Sequence, residues 1–212
     1  MKKRNNNNWI FTISIILTAI VMAFLSFVPV SIEFIKPFIV YFDPTKLLSN
    51  LPLWIFINGI IALYSHSEKT ATLNTTLFNI VCFVSYCLFS IILTHTMPKE
   101  MFLTWIVFTL IWTIFSYLVW SANQSDSKGW ILSTLLLAIL FSTCFTYTEN
   151  TISNTTILNF LLYVFLVVIL YKGTKETLII VVSSIILAMI LYKFKIQIIF
   201  TKSACIYFFC WL

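Results

Sequence analysis

Two histidines and five cysteines are the side chains with which this chain could attack a substrate, ligate a metal or move a proton. An intramembrane Cys–His hydrolase needs its nucleophile and base within hydrogen-bond reach. His66 and His95 flank opposite ends of one apolar run, and Cys82 lies near the middle of that run. Neither imidazole is therefore expected to meet the thiol. Cys82 and Cys87 are five residues apart and do not share a helix face, and Cys205 and Cys210 repeat that spacing. With Cys144 the total is odd, and no CxxC pair occurs. Neither a disulfide framework nor a zinc site follows. The cysteines read as small hydrophobes in lipid or at helix contacts. Metal-ligating residues are too dispersed for a site, and no Gly-rich phosphate loop exists. No catalytic, cofactor-binding or metal-binding residue is predicted, and no cofactor.

Charge placement sets the class. All thirteen Lys/Arg and all seven Asp/Glu lie at the ends of long apolar runs or between them. The chain is 60% hydrophobic and 9% charged, with a mean hydropathy of +1.00. A soluble domain carries about a quarter charged residues. The net charge of +6 is scattered through short loops, so it reads as membrane-flanking anchors rather than a nucleic-acid surface. A proton-coupled transporter usually keeps an ionisable group at membrane depth. None is present here, and only Gly59 among the glycines and prolines interrupts a run well inside it.

The elements that must position any site are apolar helices. A bilayer-crossing helix needs about 20 apolar residues. Seven runs qualify: Trp9–Val30, Leu47–Ser65, Leu73–Thr94, Met101–Trp120, Trp130–Tyr147, Ile157–Tyr171 and Thr177–Tyr192. The last two are short and lean on flanking Tyr and Lys. Aromatic rings mark many run ends, as an interfacial belt does. The expected fold is all-α, a polytopic transmembrane helical bundle of about seven spans. It divides into a basic cytoplasmic N-terminus over 1–8, a transmembrane domain over 9–192, and an amphipathic or interfacial tail over 193–212. Lys2, Lys3 and Arg4 before the first run resemble a signal peptide, but the run is long and no A-x-A site follows. It reads as an uncleaved first span. The segment Ser31–Lys46 reads as an outer interfacial connector.

Orientation rests on basic residues near span ends. With a cytoplasmic N-terminus, seven Lys/Arg fall inside and six outside. The N-terminal cluster, and an outer loop Thr148–Thr156 without basic residues, favour that orientation. The Ile/Phe/Lys/Asn-rich usage fits an AT-rich bacterial genome, and the expected location is the cell membrane.

One internal likeness stands above composition. Leu63–Thr70 aligns without a gap on Leu170–Thr177, both being short turns between apolar runs. Each offers a hydroxyl N-cap, Ser67 or Thr174, and an acid in the first turn, Glu68 or Glu176. Parallel duplication of a helical hairpin would produce this pattern, and so would convergence on what any short turn needs.

Within the runs, Asn58, Asn79, Thr109, Thr113, Ser116 and Tyr117 are the candidate intramembrane polar contacts. The last four follow helical spacing on one face. Interhelical hydrogen bonding is the weightier reading, and a polar groove for a ligand the other. The expected partners are the lipid bilayer and another membrane protein or peptide. The expected role is a non-catalytic accessory, immunity or regulatory component, with a facilitative permease for a small or lipophilic solute as the alternative.

Overall fold

The structure is a computed structural model and describes residues 8–27, 48, 51–99, 101–124, 126–144 and 154–193. Among these residues there are seven α-helices and no strand. They are α1 (Asn8–Leu25), α2 (Leu51–Tyr64), α3 (Glu68–Thr94), α4 (Met101–Ala122), α5 (Ser127–Cys144), α6 (Asn154–Ile169) and α7 (Thr174–Lys193). The connector Ser31–Lys46, the loop ahead of α6, the tail beyond Lys193, and Cys205 and Cys210 lie outside the described residues.

Three helices are long and apolar enough to cross a membrane: α3, α4 and the stretch Thr174–Leu191 of α7. The others are apolar but shorter. At 14 residues, α2 spans about 21 Å, less than the hydrocarbon core of about 30 Å.

Helix starts follow local chemistry. The apolar run begins only at Leu73, but α3 begins at Glu68, directly after the expected cap Ser67. A capping box explains the added turn. Ser67 Oγ accepts from Thr70 N at 3.2 Å, and Thr70 Oγ1 accepts from Ser67 N at 2.8 Å. Glu68 then sits in the first turn, where the helix dipole favours an acid. The helix ends at His95, whose φ of 54° is left-handed.

α2 and α4 form a shared wall between two cores. On one side, α1, α3 and the wall bury Ile15, Ala19, Trp54, Phe78, Cys82 and Trp105. On the other, α5, α6 and α7 close over Ile55, Leu63, Trp112, Leu136, Leu140 and Leu166. Aromatic rings bind the wall together. Trp54 meets Trp105 and Phe108 edge-on at 5.7 and 6.1 Å, and Phe108 meets Trp112 at 5.9 Å.

The peripheral helices dock through small residues. α1 packs along α3 and buries Ile15, Ala19 and Ala23. α7 packs along α5 and buries Ile180, Ser184 and Ala188. Both sets repeat every fourth residue, one Ile followed by two small residues. Small side chains let helix backbones approach closely where no hydrophobic drive acts between them.

Three turns lie at one end of the bundle. Trp120 Nε1, at the end of α4, donates to Ser65 O in the α2–α3 turn at 3.0 Å. Lys172 Nζ, in the α6–α7 turn, donates to Gln124 O in the α4–α5 turn. Asp126 Oδ1 accepts from Gly129 N at 2.8 Å and starts α5. A Cβ on Gly129 would lie 2.0 Å from Gln124 O, so this approach requires glycine. Burial lowers the pKa of the Lys172 ammonium from its ordinary value, against the opposing pull of Asp126 and Glu176.

The two aligned turns share local detail. Leu63 and Leu170 are buried, while Tyr64 and Tyr171 are exposed. Thr70 and Thr177 each accept a backbone N–H with Oγ1, from Ser67 and Lys172 respectively. Their surroundings differ. α3 packs along α2, whereas α7 packs along α5. Gly173 has φ +141°, while His66 at the aligned position has no such conformation.

Candidate functional site

The most buried polar chemistry lies where α2 meets α3. Asn58, Thr75 and Asn79 are each 0% exposed. Asn58 sits near the middle of α2, and Asn79 near the middle of α3. Asn79 Nδ2 donates to Asn58 Oδ1 at 2.9 Å and to Thr75 O at 2.9 Å. Asn58 Nδ2 donates to Trp54 O at 2.9 Å. Each carboxamide thus donates to the carbonyl one turn back on its own helix. Those two bonds fix both amide orientations, because a flip would set oxygen against oxygen. Two atoms of the cluster have no hydrogen-bond partner: Asn79 Oδ1 and Thr75 Oγ1.

The candidate residues of α4 are not gathered into one groove. Thr113 Oγ1 lies 2.7 Å from Thr76 Oγ1 of α3 and also donates to Thr109 O at 2.7 Å. Ser116 is buried and donates to Thr113 O at 2.9 Å. Thr109 is half-buried and supplies its backbone carbonyl. Tyr117 is half-exposed towards the turn end of α4. Of the six candidates, Asn58 and Asn79 meet directly, and Thr113 reaches across to α3 through Thr76. Thr109 and Ser116 serve α4 itself.

A further interhelical contact lies outside those six candidates. Tyr163 of α6 and Ser184 of α7 are buried with their hydroxyls 3.1 Å apart. Ser184 belongs to the Ile180–Ser184–Ala188 stripe, and the four-residue repeat of small residues was its sequence signal. Thr75 also gave no signal of its own, since threonine in a helix ordinarily bonds back to the preceding turn.

Cys82 is buried in mid-α3, with His66 and His95 beyond opposite ends of that helix. With 27 residues the helix is about 40 Å long, so each imidazole is roughly half that length from the thiol along the axis. Among the described residues, no three His, Cys, Asp or Glu side chains gather as metal ligands would.

Comparison with protein-family models, with curated proteins and with solved structures gave no match to this chain.

Proposed function

We propose that this chain is a multi-pass cell-membrane protein of about seven spans with a cytoplasmic N-terminus. We read its role as a non-catalytic accessory, immunity or regulatory component that binds another membrane protein or a peptide. The observation that carries the reading is how the polar groups inside the helices are spent. Asn58 with Asn79, Thr76 with Thr113, and Tyr163 with Ser184 join helix to helix. What the helices turn outward is apolar: Leu103, Ile106, Leu110, Ile114 and Leu118 run along α4. With short turns joining α2 to α3, α3 to α4, α4 to α5 and α6 to α7, a partner is met within the bilayer, through such faces. The fit of the turns Leu63–Thr70 and Leu170–Thr177 belongs to this reading as convergence, since α3 and α7 pack on different neighbours.

The test is affinity purification of the tagged chain from its native membrane in mild detergent, read by mass spectrometry. A membrane protein recovered at fixed stoichiometry is the expected result. Recovery of the chain alone, or with only lipid or a small molecule, overturns the reading in favour of a facilitative permease. Uptake into vesicles holding the purified chain tests it directly.

A further inference from the structure

The geometry points to a bound water molecule between α2 and α3, held by Thr75 Oγ1 and Asn79 Oδ1. The two atoms belong to groups that meet at the Thr75 carbonyl. Asn79 Nδ2 is 2.9 Å from Thr75 O, so the Asn79 carboxamide folds back onto residue 75 itself. Its Oδ1 belongs to the same planar group. Thr75 Oγ1 hangs from the residue whose carbonyl that group bonds. One of the two unpartnered atoms is an acceptor, and the other is a hydroxyl that can donate. A single small molecule that donates to Asn79 Oδ1 and accepts from the Thr75 hydroxyl satisfies both.

Thr75 is the exception among its neighbours. Thr72 donates to Glu68 O at 3.0 Å, and on α4 Thr113 donates to Thr109 O at 2.7 Å. Thr76 has Thr72 O at 2.8 Å and Thr113 Oγ1 at 2.7 Å as acceptors for its one hydrogen. A threonine hydroxyl with nothing else to bond takes the carbonyl one turn back. The Thr75 hydroxyl does not, although it is wholly buried and water from the surface does not reach it. The amide orientations offer no escape, since each is fixed by its own carbonyl bond. Both partners are neutral and neither offsets a buried ionic charge, which favours a neutral ligand. Internal waters typically occupy such sites, bridging buried polar groups that the protein leaves unmatched. Within a bilayer the need is sharper, because no solvent is at hand to satisfy them. This water extends the Asn58–Asn79 contact along α3 and makes the helix pair a hydrated one.

The experiment compares the full chain with Thr75→Val and Thr75→Ser in detergent, by thermal unfolding followed through tryptophan emission. Valine keeps the shape and removes the hydroxyl, while serine keeps the hydroxyl. With a bound water, Thr75→Val is expected to lower Tm by about 2–4 °C and Thr75→Ser to stay near the parent. An unchanged or raised Tm in Thr75→Val overturns the assignment, since deleting a dry, unpaired hydroxyl is neutral or stabilising. Equal losses in both variants also overturn it, because they report packing alone. Should Thr75→Val fail to fold, hydroxyl-radical footprinting of the unaltered chain decides the matter. Phe78 and Cys82 share the helix face of Thr75 and Asn79 and are buried. A bound water is expected to raise their oxidation severalfold, after correction for intrinsic reactivity, above that of buried Leu136 and Leu140. Oxidation no faster than at those leucines counts against the water.

Discussion

At the scale of single residues, the amides of Asn58 and Asn79 are the best-defined polar contact of the molecule. Asn79→Leu leaves Asn58 Oδ1 buried without its donor, at a cost of about 1–3 kcal/mol. Asn58→Leu strands one N–H of Asn79 in turn. Replacing both removes the polar groups together, so the double variant is expected to lose less than the sum. Coupling of this kind inside membrane proteins averages about 0.6 kcal/mol and reaches about 1.7. A double-mutant cycle by reversible unfolding in mixed micelles measures it. Strict additivity would show that the two amides do not interact. Both asparagines were legible in the sequence, because an amide in an apolar run is too costly to ignore. Their pairing was not. It joins positions 21 apart through the register at which α2 crosses α3. That register is set by the packing of Trp54, Phe78 and Trp105, which no local pattern encodes. The candidates on α4 were legible by spacing alone. Thr109, Thr113, Ser116 and Tyr117 share helical spacing. Yet hydroxyls that bond back to their own helix turn such a stripe into no groove at all.

At the scale of elements, the turns carry the testable detail. Gly173, with φ +141°, lies where an L side chain is strained, so Gly173→Ala is expected to cost about 1–3 kcal/mol. Ser67→Ala, which removes the capping box of α3, is expected to cost about 1 kcal/mol. Thermal unfolding of the two variants side by side checks that order. Lys172 adds a pH dependence. Its folded-state pKa is lowered by burial, so between that value and 10.5 the unfolded chain binds more protons than the folded one. This group therefore opposes folding while charged, and its penalty fades as pH rises through the lowered pKa. The difference in Tm between the parent and Lys172→Met is expected to shift in favour of the parent as pH is raised from 7 towards 10.5. A pH-independent difference would mean that the ammonium is not desolvated. Helix existence was plain from apolar length and the start of α3 from Ser67 as its cap, whereas α7 begins at Thr174 itself rather than after it. The first turn of α3 is polar, Glu68-Lys69-Thr70, and only the reciprocal Ser67–Thr70 bonds make it helical.

At the scale of the whole molecule, the arrangement of turns shows which of them share an end of the bundle. Seven basic residues against six scarcely orient a chain. The bundle, however, joins its α2–α3, α4–α5 and α6–α7 turns at one end through Trp120 to Ser65 and Lys172 to Gln124. The α3–α4 turn, with Lys99, follows the far end of α3. Sidedness is therefore a property of the fold, and one label on each end reads it. In a background without the native cysteines, the exposed sites Lys69, Lys128 and Lys175 can be changed to Cys one at a time, and Lys99 likewise. With a cytoplasmic N-terminus, a membrane-impermeant thiol reagent is expected to label Lys99→Cys in intact cells. It is expected to label the other three only after permeabilisation. The reverse pattern would keep the bundle and invert it in the membrane. A split among Lys69→Cys, Lys128→Cys and Lys175→Cys would be the damaging result. It would place on opposite sides three turns that Trp120 and Lys172 tie together, and the two-core bundle with its shared α2–α4 wall could not stand.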